Sequence, residues 1–157
     1  MINVVGVNKS FVLGDQTVHA LRDINLTIER GEYLSVMGPS GSGKSTLLNL
    51  LGLLDRPDNG QYFLNNIETT ALAEEERARL RGAHVGFIFQ SFHLVPRLTA
   101  RENIELPLVL AGVAPADRKA HVDEPLIQLG LQDRANNAAT QFSGGQRQRV
   151  AIGRALI

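Results

Sequence analysis

Apolar and polar residues alternate strictly through Ile24-Asn25-Leu26-Thr27-Ile28, the period of a strand with one buried face. Two other apolar-rich runs, Ile2 to Val7 and Val18 to Leu21, precede it, so a small β-sheet closed by Arg30-Gly31 is predicted at the start. Tyr33 to Met37 reads as a further strand, and Thr46 to Leu51 as the opening of a helix. Asp55-Arg56-Pro57-Asp58-Asn59-Gly60 is dense turn chemistry, and Gln61-Tyr62-Phe63-Leu64 is a strand ended by Asn65-Asn66. From Glu74 to Arg81 acids precede bases at spacings of three and four, the pattern of a solvated helix. Val85-Gly86-Phe87-Ile88-Phe89 is nearly all apolar, which predicts a strand buried on both faces and delivering Gln90 at its end. Beyond it the period changes. Thr99-Ala100-Arg101-Glu102 has the spacing of a capping box, Pro107 limits or kinks the helix that follows, and 116–130 reads as helical despite Pro125. A β-rich beginning followed by a helical stretch over about 98–140 points to a helical subdomain inserted into an α/β domain.

Two glycine-rich stretches bring chemistry into this pattern. Gly38-Pro39-Ser40-Gly41-Ser42-Gly43-Lys44-Ser45 has the form G-x-x-x-x-G-K-S, between a predicted strand and a predicted helix. Glycines let backbone N–H groups turn inward around an anion, and the helix start adds unpaired amides and the positive end of its dipole. In such a loop Lys44 reaches the β- and γ-phosphates and the Ser45 hydroxyl sits on Mg²⁺. The second stretch, Ser143-Gly144-Gly145-Gln146, has an N-cap serine with glutamine three residues on, and its glycines leave amides open at a helix start. Read alone, it is either a second anion site or a plain cap.

The chain has 157 residues, 43% of them apolar, enough for the core of one ordinary domain. Its formal net charge is zero with no long run of one sign, which argues against a nucleic-acid surface. Cysteine is absent, so disulfides and cysteine-ligated zinc are excluded. No window approaches the ~20 apolar residues of a membrane span, and membrane association is expected only through a partner. His19, His84, His93 and His121 lack metal-ligand spacing and are read as structural.

The phosphate loop, a glutamine ending an apolar strand, a helical insertion and then S-G-G-Q, in that order, resemble the nucleotide-binding domain of ATP-binding-cassette (ABC) transporters. The likeness covers essentially the whole chain. Gly38 to Leu51, Val85 to Leu106 and Arg147-Gln148-Arg149-Val150-Ala151 look most like the lipoprotein-releasing and macrolide-export group, with bacterial cell-division relatives nearby. The resemblance implies an α/β P-loop NTPase core with an N-terminal antiparallel β subdomain and an inserted helical subdomain. Its parts would be 1–97 (β subdomain and core), 98–141 (helical) and 142–157 (signature and following helix).

The same resemblance assigns residues. Gly38, Pro39, Ser40, Gly41, Ser42, Gly43, Lys44, Ser45 and Thr46 would hold ATP, and Phe11 stands where the family has its adenine-stacking aromatic. Gln90 matches the loop glutamine that touches Mg²⁺ and the attacking water, so Lys44 and Gln90 are the catalytic candidates, and Ser45 and Gln90 the metal ligands. Ser143, Gly144, Gly145 and Gln146 match the signature that contacts the γ-phosphate of ATP on a second copy. This implies a head-to-tail dimer, bound to membrane-spanning permease subunits at the cytoplasmic face of the membrane.

The likeness also has departures. Phe142 replaces the usual leucine. Asp123-Glu124-Pro125 imitates a catalytic Asp-Glu-Pro but precedes the signature and lacks an apolar strand, so it is read as a helix-surface decoy. The family's later strand ending in Asp-Glu, its Asp-containing loop and its switch histidine do not follow within this sequence. The C-terminal part of the fold is therefore expected to be missing, with Tyr33 to Met37 short of strand partners and the chain a piece of a longer cassette. Two other readings stay open: a soluble ABC ATPase outside transport, and a nucleotide-binding module without hydrolysis.

Overall fold

A computed structural model describes residues 1–157. They divide into two compact units, Met1–Arg81 and Gly82–Ile157.

The first unit is built on a long antiparallel hairpin, β1 (Ile2–Leu13) with β2 (Gln16–Ile28). The short apolar runs of the sequence merge into these two strands because the polar residues between them keep pairing, with register shifts between Val4 and Ser10. β3 (Asn59–Leu64) pairs antiparallel with the other edge of β1, and β4 (Ile67–Glu68) follows it, giving the order β2-β1-β3-β4. Asn65 and Asn66 make the β3–β4 turn with φ of 49° and 64°, the left-handed pair that a two-residue hairpin favours. Val4, Val7, Leu21, Tyr62 and Leu64 are buried from the sheet, as are Leu50 and Leu53 from and just after α1 (Lys44–Leu51). The Tyr62 hydroxyl donates to the Leu51 carbonyl at 2.7 Å, fastening the end of α1 to β3, and burial pushes its pKa up to about 12. α2 (Glu74–His84) is not the fully solvated helix expected. Arg77 is buried and donates to the carbonyls of Leu53 (3.2 Å) and Asp55 (2.7 Å), while Arg81 reaches the Leu53 carbonyl at 2.6 Å. The chain after α1 leaves these carbonyls without helical partners, and the arginines satisfy them.

The second unit contains α3 (Ala100–Leu110), α4 (Pro115–Gln128) and α5 (Gly144–Leu156). Ile104, Val122, Leu126, Leu131, Phe142 and Val150 form its core with Ala100 and Ala135. Phe142 thus acts as a core side chain directly ahead of the S-G-G-Q stretch. α3 starts as predicted: the Thr99 hydroxyl accepts from the Glu102 amide at 3.2 Å, and the Glu102 carboxylate accepts from the Thr99 amide at 2.8 Å. These bonds to Thr99 hold the Glu102 pKa below the ordinary carboxylate value. The helix continues past Pro107 to Leu110. Buried Asn103 donates to the carbonyls of Val95, Leu98 and Thr99 and accepts from the Val95 amide, so one side chain holds the turn into α3. Asp123 pairs with Arg101 at 2.6 Å, and Glu124 accepts from Gln128 at 3.0 Å, as befits carboxylates on a helix surface.

The strands expected at Tyr33–Met37 and Val85–Phe89 do not form. Neither segment enters the sheet, and Tyr33 (92%) and Met37 (86%) are largely exposed rather than buried. Ile88 is likewise exposed. An apolar run becomes a strand only when a neighbour takes up its N–H and C=O groups, and no strand of this chain lies alongside either segment.

Candidate nucleotide-binding site

Gly38 to Ser45 leads into α1 as the sequence requires. Gly41 and Gly43 have φ of 81° and 88°, a region other residues enter only at a cost. Gly43 is the residue before the first turn of α1, and that helix starts without any side-chain cap. Its first amides are left to whatever anion approaches. The Lys44 ammonium folds back over the loop, donating to the carbonyls of Gly38 (2.8 Å) and Pro39 (2.7 Å), with the Ser42 hydroxyl at 3.5 Å. The Ser45 hydroxyl is exposed and Thr46 half-buried.

Gly43 also abuts the backbone carbonyl of Ala20 on β2. Two residues away along β2, Val18 pairs with Phe11 of β1. One β-strand step of two residues is roughly 7 Å and neighbouring strands lie about 5 Å apart, so Phe11 sits one step along and one strand across from the residue that Gly43 abuts. The Phe11 ring is 40% exposed and has the Lys9 ammonium 5.4 Å from its centroid. Lys9 is itself held by Asp55 at 2.8 Å and by the Arg56 carbonyl at 2.7 Å. A half-open aromatic face, an uncapped helix start and a lysine therefore belong to one body. That set suits a purine attached to a chain of phosphates.

The second unit carries the remaining candidates. Ser143 caps α5 with the reciprocal bonds expected: its hydroxyl accepts from the Gln146 amide at 3.4 Å, and the Gln146 side chain accepts from the Ser143 amide at 3.0 Å. Gly144 and Gly145 are exposed, and added Cβ atoms there would meet nothing. Gln90 is exposed in a turn closed by the Phe92 amide donating to the Phe89 carbonyl at 3.0 Å. No cluster of His, Asp or Glu stands ready for a metal ion. The Ser45 hydroxyl in the first unit and the Gln90 side-chain amide in the second each carry an oxygen of the kind that a hard cation such as Mg²⁺ accepts.

Comparison with known proteins decides the family. The model of the ABC transporter family matches residues 21–157. The chain belongs to the ABC transporter family. It is 49% identical over 157 residues to the macrolide export ATP-binding/permease protein MacB of Marinobacter nauticus, of which it covers 24%. To the ABC transporter ATP-binding protein YvrO of Bacillus subtilis it is 46% identical, covering 69% of that protein. The chain thus spans about a quarter of the macrolide exporter's length. Its structure superimposes on the dimeric structure of a bacterial ABC transporter cassette, MJ0796, with TM-score 0.88 and 44% identity, over 99% of this chain and 69% of the other. A post-hydrolysis form of that cassette, bound to ADP and Pi, matches with TM-score 0.89.

Several arginines outside the two glycine-rich stretches hold backbone carbonyls. Arg154 of α5 donates to the carbonyls of His93 (2.7 Å) and Phe92 (2.8 Å), and the Arg147 guanidinium lies 5.9 Å from the centre of the Phe92 ring. Arg77 and Arg81 of this ABC chain play a similar part behind α1. The available signal was spacing: 77 and 81, or 147 and 154, fall on one face of a helix.

Proposed function

We propose that this chain is the nucleotide-binding part of an ATP-driven membrane transporter. Gly38 through Thr46 hold the phosphates, Phe11 offers its ring to the adenine, and Ser45 and Gln90 are the Mg²⁺ ligands. Mg²⁺, when bound, neutralises charge on the β- and γ-phosphates. Lys44 reaches the same oxygens, and Gln90 orients the attacking water. The single observation that carries this reading is the glycine loop leading into α1, which leaves the first amides of that helix without a side-chain cap and holds the Lys44 ammonium on its own Gly38 and Pro39 carbonyls.

Ser143 to Gln146 then serve the ATP of a second copy, in a head-to-tail pair. The dimer in which the related bacterial cassette was solved supports a pairing of cassettes. Coupling to a membrane-spanning permease is supported by the ATP-binding/permease name of the macrolide exporter. No helix here is long and apolar enough to cross a membrane. On the strength of that relative's name, we assign attachment to a permease at the cytoplasmic face. Export or lipoprotein release would be the work of those partners.

Lys44→Ala in the full-length protein tests the reading. ATP turnover is expected to fall by about 10²-fold or more, the loss typical of removing one donor aimed at developing charge. Unchanged ATP binding and turnover would overturn the assignment.

A further inference from the structure

The turn that carries Gln90 is strained and is held from behind. Phe92 and His93 are consecutive non-glycine residues with φ of 61° and 47°. Two left-handed residues in a row persist only where the surroundings hold them. The holder is α5. Arg154 places one guanidinium nitrogen on the carbonyl of each of these residues, at 2.8 Å for Phe92 and 2.7 Å for His93. One planar fork thus fixes both peptide units. Arg147, seven residues earlier and on the same face of the helix, sets its guanidinium over the Phe92 ring at 5.9 Å. The His93 ring leans on Phe89 at 4.7 Å between centroids, and the Phe92 amide closes the turn onto the Phe89 carbonyl around Gln90 and Ser91.

These contacts join two stretches far apart in sequence: the Gln90 turn and the helix that Ser143 caps. We infer that Arg154 and Arg147 are positioning residues that clamp the Gln90 turn to α5, so that the signature stretch and Gln90 move as one piece. The inference rests on the reading of Gln90 as the Mg²⁺- and water-facing residue. A displacement of the α5 start by the phosphate of a second copy's ATP would then reach Gln90 through a guanidinium fork rather than through the intervening helices. Neither arginine touches nucleotide in this scheme.

Arg154→Lys in the full-length protein separates the clamp from a merely structural role, because lysine keeps the charge and stem but cannot grip two carbonyls at once. Hydrogen exchange at the amides of Phe92 and His93 is expected to quicken by about tenfold, with exchange in α3 and α4 unchanged. The kcat for ATP is expected to fall by about tenfold while KM moves by less than about twofold, since the phosphate loop is untouched. With Gln90→Ala added, the double variant is expected to be no slower than Gln90→Ala alone. Unchanged exchange at Phe92 and His93, or losses that multiply in the double variant, would overturn the clamp. Gln90→Ala with normal turnover, alongside quickened exchange in Arg154→Lys, would overturn the role given to Gln90 and keep the physical link.

Discussion

Gly43 approaches the backbone carbonyl of Ala20 so closely that a Cβ at residue 43 has nowhere to go. The obstacle is backbone of a paired strand, which cannot rotate away as a side-chain tip could. Residue 43 also has φ of 88°, so two independent constraints coincide on the residue just before Lys44. Gly43→Ala is expected to lose about 1–2 kcal/mol from the left-handed conformation alone, with more from the clash. Nucleotide binding is expected to fall with it, because the loop must move off β2. Urea unfolding and ATP titration check this, and a variant that keeps full stability and binding would mean that the loop can be reseated without penalty.

A second expectation concerns acid. Burial disfavours charge on Asp55, but the Lys9 hydrogen bond, the Arg56 amide and the charges of Lys9 and Arg77 outweigh it, so its pKa lies below the ordinary 3.8. A carboxylate with a depressed folded value takes up a proton on unfolding. Its contribution is complete above the ordinary value and is lost as the pH falls through the folded one. As the pH falls below the ordinary value of 3.8, stability should therefore drop less steeply in Asp55→Asn than in the parent. Parallel curves would show that the Lys9–Asp55 pair does not govern this limb.

Inside α5, Gly153 is buried with room for little. An added Cβ would lie 2.9 Å from Ile104 Cδ1 and 3.1 Å from Leu129 Cδ1. Both are ends of flexible side chains, and alanine is favoured over glycine in a helix interior by about 1 kcal/mol. Gly153→Ala is expected to stabilise the second unit by up to that amount, whereas Gly153→Leu overpacks the contact with α3 and loses about 1–3 kcal/mol. Midpoints of urea unfolding distinguish the two. A loss in the alanine variant would mean that Ile104 cannot yield.

What the sequence made legible was mostly local. The capping boxes at Thr99 and Ser143 and the Asn65-Asn66 turn depend on neighbours within a few residues, and each occurs as read. The phosphate loop is legible for the same reason, since glycine spacing, lysine and helix start lie in one short stretch. The runs Tyr33–Met37 and Val85–Phe89 have the apolar content of strands but form none, as the expected shortage of partners for Tyr33 to Met37 implies, because a strand is a relation between segments: apolar content signals burial, whereas the ladder needs a partner. Arg77 was hidden in a pattern of alternating charge that normally marks a wet face, and Arg154 reaches carbonyls sixty-one and sixty-two positions away. Long-range demands of this kind, made by backbone carbonyls that no helix or sheet satisfies, leave at most a shared helix face in the sequence, which does not name the partner.

The Lys44 ammonium is already seated between the Gly38 and Pro39 carbonyls in the chain itself. A free lysine side chain holds about 2 kcal/mol of rotamer entropy, which an incoming anion would ordinarily have to offset. Here that freedom is surrendered during folding. A phosphate taken up by the loop, as proposed, would meet the cation already immobilised, with part of the cost of ordering it met by the stability of the fold.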